Sequence, residues 1–147
     1  GLTYNGTSTL TWELIDNTVA GRGTNYDGVN VTGGAFSLVT GAEMDLTFGG
    51  TVDFNNVFWS TDQEWLVVDL SSGATASDTN LFTIGSITGG ANYSPSLGTF
   101  SIERKPGSNA ADSVYLTWVA VPEPSTIALA ACGLIGLGLA ARRRFRR

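Results

Sequence analysis

Apolar and polar residues alternate along short segments of the first 120 residues, and this pattern most constrains the fold. Leu10, Trp12 and Leu14 alternate with Thr11 and Glu13, which is the period of a strand with one buried and one exposed face. The same strand-like character recurs at 29–31, 36–38, 44–48, 52–54, 57–59, 65–68, 81–84, 100–102 and 114–119. No long segment before residue 121 has a helical period, so we predict an all-β body.

Glycine-rich turns such as Gly33-Gly34 and Gly49-Gly50 separate these segments. Strand centres recur about every 8 to 15 residues, a spacing compatible with a β-sandwich and with a β-solenoid. The body is long enough for one domain with its own core. Because the sole cysteine, Cys132, lies outside the body, its stability must come from packing or stacking rather than from disulfides.

The body is strongly acidic. Residues 1–121 contain 12 acidic side chains and three basic ones, Arg22, Arg104 and Lys105, for a net charge of −9. An acidic surface repels phosphate backbones and anionic lipids, so we predict no nucleic-acid partner.

The C-terminal 27 residues have three parts of different character. In 121–125, Pro122 and Pro124 restrict the backbone, so we predict a stiff, extended, exposed segment. Residues 126–141 carry no charge, and we predict one transmembrane α-helix there. Residues 142–147 are a basic tail expected to stay cytoplasmic and stop transfer through Arg142, Arg143, Arg144, Arg146 and Arg147.

This order of parts resembles the PEP-CTERM sorting domain of exported bacterial proteins, which the membrane protease-transpeptidase exosortase reads. The resemblance rests on Pro122-Glu123-Pro124, the apolar run 126–141 and the arginine-rich end. It implies cleavage near Pro122, Glu123 and Pro124, which would be recognised as substrate residues and do no chemistry. It also implies delivery of the exported part to the cell surface or matrix. An ordinary tail anchor is the alternative.

We therefore divide the chain into an exported β-rich domain, 1–120, and a sorting signal, 121–147. The chain opens at Gly1 without a methionine or secretory signal, although a C-terminal sorting signal requires export. We expect residues 1–120 to be the C-terminal part of a longer precursor. That precursor would be anchored in the inner membrane with its C-terminus in the cytoplasm.

A second resemblance concerns the body. Leu10–Leu14 followed by 25–34, which reads NYDGVNVTGG, resembles the closing coils of autotransporter-like passenger domains. It implies the end of a right-handed β-helix, with roughly five coils of about 20–29 residues and a C-terminal cap. Trp59, Trp65 and Trp118 would close the stack. Since no clear repeat continues beyond Trp59, a β-sandwich stays open as the alternative.

Candidate chemistry in the body is sparse. The sequence has no histidine, which excludes His-based nucleophilic catalysis and His-ligated zinc in this chain. Two carboxylate pairs, Glu13/Asp16 and Asp62/Glu64, are close in sequence, but that proximity does not supply catalytic geometry. We predict no catalytic residue, no cofactor and no enzymatic activity.

Two loops carry oxygen ligands that calcium prefers, although asparagine and aspartate are also favoured in ordinary turns. The two sets are Asn25, Asp27 and Asn30, and Asp53, Asn55 and Asn56. Neither set has the spacing of a known calcium loop, so no metal residue is assigned. Exposed Trp12, Trp59 or Trp65 would form a carbohydrate platform, whereas buried ones would belong to the core.

These features predict a non-enzymatic exported surface or extracellular-matrix protein with a structural or adhesive role. The alternatives are a carbohydrate- or calcium-binding module and the terminal part of a secreted polysaccharide-degrading enzyme. The expected partners are exosortase, the membrane before processing and, as a candidate, extracellular polysaccharide.

Overall fold

The computed structural model describes residues 1–108 and 112–122, which form strands joined by turns and irregular segments. A four-residue 3₁₀ turn, Val57–Ser60, follows the longest strand. The strands are β1 (Leu2–Tyr4), β2 (Thr9–Leu14), β3 (Val29–Val31), β4 (Gly34–Leu38), β5 (Glu43–Asp53), β6 (Gln63–Leu70), β7 (Ala74–Ala76), β8 (Thr83–Ala91), β9 (Gly98–Pro106) and β10 (Asp112–Ala120).

The ten strands form three small sheets. Two of them, ordered β1-β4-β7 and β2-β5-β8, are parallel throughout. The third is ordered β3-β6-β10-β9; β3 and β6 are parallel, whereas β10 is antiparallel to both of its neighbours. Consecutive strands among the first eight therefore lie in different sheets, and pairing brings together residues that are distant in sequence.

The predicted alternation is confirmed in the strands that flank the core. In β2, Trp12 and Leu14 are fully buried and the residues between and beside them face outward. In β10, Val114, Leu116 and Trp118 are fully buried. In β2 the opposite face stays hydrated, whereas in β10 Ser113 and Thr117 on the opposite face are buried too.

The predicted β-helix end is wrong. The described strands form three separate sheets of three or four strands, and the third carries the antiparallel β9–β10 hairpin. Parallel partners are also farther apart than the expected coil, since Thr9 pairs with Glu43 and Glu43 with Thr83. The alternation that predicted strands repeats every two residues and does not specify which strands pair.

The β-sandwich alternative is also wrong, because the strands lie in three sheets rather than two facing ones. The predicted transmembrane helix, 126–141, lies outside the described residues. Within 1–108 and 112–122, no helix is long and apolar enough to cross a membrane.

Tryptophans dominate a core to which all three sheets contribute. All four are at most 2% exposed, and each indole N–H has an acceptor. Trp12 donates to the carbonyl of Asp27 at 2.8 Å, and Trp65 donates to that of Thr18 at 2.8 Å. Burial of an indole is favourable only when this donor is satisfied, so the bonds fix ring orientation as well as position.

The prediction that Trp59, Trp65 and Trp118 cap a stack is therefore wrong. Their rings pack together inside the core, with centroids 5.8 Å apart for Trp59 and Trp65 and 5.3 Å apart for Trp59 and Trp118. The Nε1–H of Trp118 donates to the carbonyl of Trp59 at 2.9 Å. This contact fastens the 3₁₀ turn to the last strand.

Candidate recognition site at the end of the last strand

Strand β10 fixes the point at which the chain leaves the folded body. It pairs with β6 from Val114 to Trp118 and with β9 along its whole length, ending at Ala120 opposite Gly98. A strand that is bonded on both sides and has most of its central residues buried has little freedom to shift.

Two further hydrogen bonds hold the residues at the end of β10. The backbone N–H of Ala120 donates to Oδ1 of Asp62 at 2.9 Å. The backbone N–H of Val121 donates to the carbonyl of Leu97 at 2.9 Å. Pro122, the next residue, has no N–H to donate. The body therefore holds the chain up to Val121, the residue that immediately precedes the Pro122-Glu123-Pro124 motif.

An open groove of about 790 Å³ lies beside this exit point. Its wall includes the exit residues Ala120, Val121 and Pro122. The remaining lining residues come from the end of β5, the 3₁₀ turn and its flanks, and the segment before β9: Phe54, Asn55, Asn56, Val57, Trp59, Ser60, Thr61, Asp62 and Leu97.

The 3₁₀ turn gives one side of the groove a fixed shape. Asn56 caps it by accepting a hydrogen bond from the N–H of Phe58 at 2.9 Å. The buried ring of Trp59 anchors it, donating to Oδ1 of Asn17 at 2.7 Å. Val57 is left 81% exposed on this anchored turn, more than any other large apolar residue among those described.

The groove is nearly uncharged. Among the described lining residues, Asp62 alone has an ionisable side chain, and its Oδ1 accepts the Ala120 N–H. In a second depression that Asp62 also lines, Lys105 binds Glu64 and Glu103. Hydrogen bonds from the ammonium to these two carboxylates raise the pKa of Lys105.

Only one of the predicted sorting residues lies in the described part of the chain. Pro122 lines the groove directly after the tied end of β10. The others, Glu123, Pro124, Arg142, Arg143, Arg144, Arg146 and Arg147, lie outside the described residues. Their predicted roles stay predictions.

The first candidate calcium loop uses its oxygens within the protein. Oδ2 of Asp27 accepts from the N–H of Glu13 at 3.1 Å, and Oδ1 of Asn30 accepts from Arg22 at 2.6 Å. Asn25 donates its side-chain amide to the carbonyl of Ala20 at 3.1 Å. These three side chains therefore have structural roles in holding the loop.

The second loop is organised in the same way. Oδ1 of Asp53 accepts from the side chain of Asn92 at 2.8 Å and from the N–H of Asn55 at 2.9 Å. These two bonds, in that order of importance, lower the pKa of Asp53. Across residues 1–108 and 112–122, no cluster of three or more acidic, Cys or His side chains is arranged to hold a metal.

The carboxylate pairs and the tryptophans also have structural roles. Oδ1 of Asp16 accepts from the N–H of Asn17 at 2.8 Å, whereas Asp62 holds the end of β10. The fully buried Trp12 and Trp65 and the almost fully buried Trp59 present no platform on which a sugar ring could stack.

Sequence reasoning missed the role of Asp62 as the anchor of the exit point. It also missed Arg22, whose guanidinium bonds to three carbonyls and to Asn30. A usable signal was present: Arg22 is one of only three cations in an acidic body and lies between Gly21 and Gly23. A lone cation in such a setting is a candidate for internal pairing.

Comparison with known proteins identifies the segment that begins at the exit point. Residues 120–144 match the PEP-CTERM protein-sorting motif. No curated protein and no solved structure matches the chain, and nothing supports the predicted likeness of the body to autotransporter-like passengers. The matched segment starts at Ala120, the last residue of β10. The chain thus carries a PEP-CTERM sorting signal, which indicates an exported protein that exosortase processes and that is sorted to the cell surface.

Proposed function

We propose that the β body is a non-enzymatic passenger with a structural or adhesive role at the cell surface or in the extracellular matrix. In this proposal exosortase cuts near Pro122-Glu123-Pro124 and releases the body for delivery to the cell surface or matrix. The observation that carries it is positional: the sorting motif begins at Ala120, where the folded body ends. A cut immediately beyond this point would separate signal from body without removing a strand.

The packing of the body supports a passenger that stays folded after cleavage. Its buried apolar cluster runs from Trp12 to Trp118 and draws on all three sheets. The two bonds to Asp62 and Leu97 involve N–H groups that precede Pro122. Cleavage beyond Pro122 therefore leaves the core and these bonds intact.

The most buried carboxylate supports a structural role rather than catalysis. Asp69 is 8% exposed and accepts hydrogen bonds from the backbone N–H and the hydroxyl of Ser108 and from Ser113. Burial by itself would raise the pKa of Asp69, but these bonds and the charge of Arg22 outweigh it and lower the pKa. A carboxylate held ionised by fixed donors is a poor general acid.

The test is the intact mass and C-terminal peptide of the protein isolated from the surface fraction of its native host. We expect a chain that ends between Pro122 and Ser125 and lacks 126–147. A surface chain that still carries its terminal arginines would contradict processing. Replacing Pro122, Glu123 and Pro124 together by alanine should leave the protein uncut, because recognition of the motif is removed.

A further inference from the structure

We propose that the groove beside Pro122 is the body's part of the interface with the processing enzyme. This inference rests on the proposed function and extends it from a linear motif to a folded surface. The occupant is exosortase, which would contact the wall formed by Val57, Leu97 and Val121 while it holds the proline-flanked glutamate.

The first argument is distance. Val121 is bonded to Leu97, and the motif's first proline is the next residue. A fully extended chain gains at most about 3.6 Å per residue, so residues 122–124 reach at most about 11 Å beyond the tied position. An enzyme that encloses these residues must bring its own surface against the body, and the surface it meets contains the groove.

The second argument is the chemistry of the groove. Val57 is 81% exposed and Val121 is 51% exposed, and both line it. Apolar surface of this kind gains free energy when a partner covers it. Among the described lining residues Asp62 alone is ionisable, and its Oδ1 accepts a bond from the backbone. A partner surface that is mainly apolar, with a donor or cation beside Asp62, fits here.

The third argument is preorganisation. The cap at Asn56 and the buried ring of Trp59 hold the turn that carries Val57. The groove is also lined by Ala120 at the end of β10, which pairs with β9 and donates its N–H to Asp62. A surface that is already ordered loses little conformational entropy when a partner binds.

A lipid bilayer fits this surface less well than a protein does. The body's net charge of −9 over residues 1–121 would be repelled by anionic headgroups. Glu64 and Glu103, both paired with Lys105, line a depression that shares Asp62 with the groove. A protein surface can match that charge pattern with its own donors and cations.

The decisive variant is Val57→Asp in the full chain, expressed in the native host, with the rate of processing followed by pulse labelling and intact mass. We expect processing to slow by about fivefold or more, since a charge placed in a desolvated contact opposes binding. The matched control is Val39→Asp, which adds the same charge at a 44% exposed valine that does not line the groove. It should be processed at the parent rate.

A linker separates contact at the groove from other effects of the substitution. Ten Gly-Ser residues inserted between Val121 and Pro122 would let the enzyme bind the motif away from the body. With the linker present, Val57→Asp and the parent should be processed at equal rates. Val57→Asn, with limited proteolysis as the check on folding, replaces Val57→Asp if the aspartate variant does not accumulate.

Two outcomes would overturn the inference. Equal processing of the parent and the folded Val57 variant without the linker overturns it, and so does a slowing that persists unchanged with the linker. The triple alanine variant at Pro122, Glu123 and Pro124 keeps the two proposals apart. If that variant is processed normally, the proposed function fails; if it is blocked while Val57→Asp is cut normally, only the groove inference fails.

Discussion

Asp78 and Arg104 form an ion pair that completes the end of a short strand. Oδ1 of Asp78 lies 3.2 Å from the guanidinium of Arg104, with the side chains 19% and 9% exposed, respectively. Oδ2 of Asp78 accepts from the N–H of Leu38 at 2.8 Å, just beyond the last paired residue of β7. The guanidinium carbon also lies 5.0 Å from the ring centroid of Phe36. The pair therefore links the β1-β4-β7 sheet to strand β9.

This pair predicts a defined loss of stability in acid. Burial would raise the pKa of Asp78, but the Leu38 N–H, other local hydrogen bonds and the charge of Arg104 outweigh it and lower the pKa. A carboxyl whose pKa is lowered by folding contributes stability above its unfolded value, near 4, and loses that contribution as the pH falls through the folded value. We expect Asp78→Asn to lower the free energy of unfolding by about 1–2 kcal/mol at pH 7.

The measurement is urea unfolding of the parent and Asp78→Asn at several pH values from 7 to below the folded pKa. The two curves of unfolding free energy against pH should converge in acid, because the parent's carboxyl becomes protonated there. Since Asp53 and Asp69 also have lowered pKa values, both proteins should lose stability over this range. A difference that stays constant with pH would show that the ionised carboxylate is not the source.

At the scale of the strand, one arginine completes an edge that a short neighbour leaves open. β3 pairs with β6 only from Val68 to Leu70. Just before that stretch, Arg22 donates to the carbonyl of Leu66 at 2.7 Å and to that of Val67 at 3.3 Å. A Cβ on Gly28 would collide with this side chain, so a glycine is needed there. The guanidinium substitutes for ladder bonds that the strand β3 is too short to make.

We expect Arg22→Ala to lower the free energy of unfolding by about 2–3 kcal/mol, because partly buried carbonyls lose charge-assisted donors. Arg22→Lys should restore little of it, since an ammonium cannot reproduce the planar fork. Lys105→Ala is the matched control, because it removes one cation whose side chain is 39% exposed. It should lower the free energy of unfolding by less than about 1 kcal/mol. Equal losses for Arg22→Ala and Lys105→Ala in urea unfolding would contradict the assigned role.

The loop between β2 and β3 is held by the core rather than by its own structure. Three indole N–H groups, those of Trp12, Trp59 and Trp65, donate to acceptors within residues 17–27 of this loop. A long irregular segment normally lies on the surface because its backbone groups need partners. Here the tryptophans supply partners from the inside, and the loop covers their polar edges.

For the whole molecule, the placement of the exit point predicts a sharp limit to truncation. A chain that ends at Pro122 should unfold in one cooperative transition. A chain that ends at Trp118 loses the strand pairs of Val119 and Ala120 with β9 and the bonds to Asp62 and Leu97. At about 1 kcal/mol of net stability for each hydrogen bond, it should be less stable by about 2–3 kcal/mol.

Thermal unfolding by circular dichroism compares the two chains. The shorter chain should melt several degrees lower, as expected for a domain of this size. Equal melting temperatures would show that the end of β10 is not held as described. If the chain that ends at Pro122 does not fold, residues beyond the exit point are required for the body.

Sequence reasoning succeeded where the cause is local. The alternation at Leu10–Leu14 and at Val114–Trp118 predicted both strands and their buried faces, because a strand's side chains alternate whatever its partners are. The proline-flanked glutamate predicted the sorting motif, because a motif read by an enzyme as an extended segment is encoded in consecutive residues. The absence of histidine constrained the chemistry in the same way.

Sequence reasoning failed to predict contacts between residues that are far apart in the sequence. Nothing in the pattern of Thr9–Leu14 specifies that it pairs with Glu43–Phe48. Nothing near Asp62 indicates that its carboxylate holds Ala120, 58 residues later. Such contacts depend on loop paths and on competition among many strands of similar composition.

The sequence by itself determined that the chain forms strands, that its body is acidic and that it ends in a sorting signal. Each of these follows from residue type and short-range spacing. Only the tertiary structure decided the three-sheet pairing, the burial of all four tryptophans, the use of Arg22 as a strand substitute and the groove beside Pro122. Each of these depends on contacts between residues that are far apart in sequence. Such contacts stabilise the protein only once the whole core has formed.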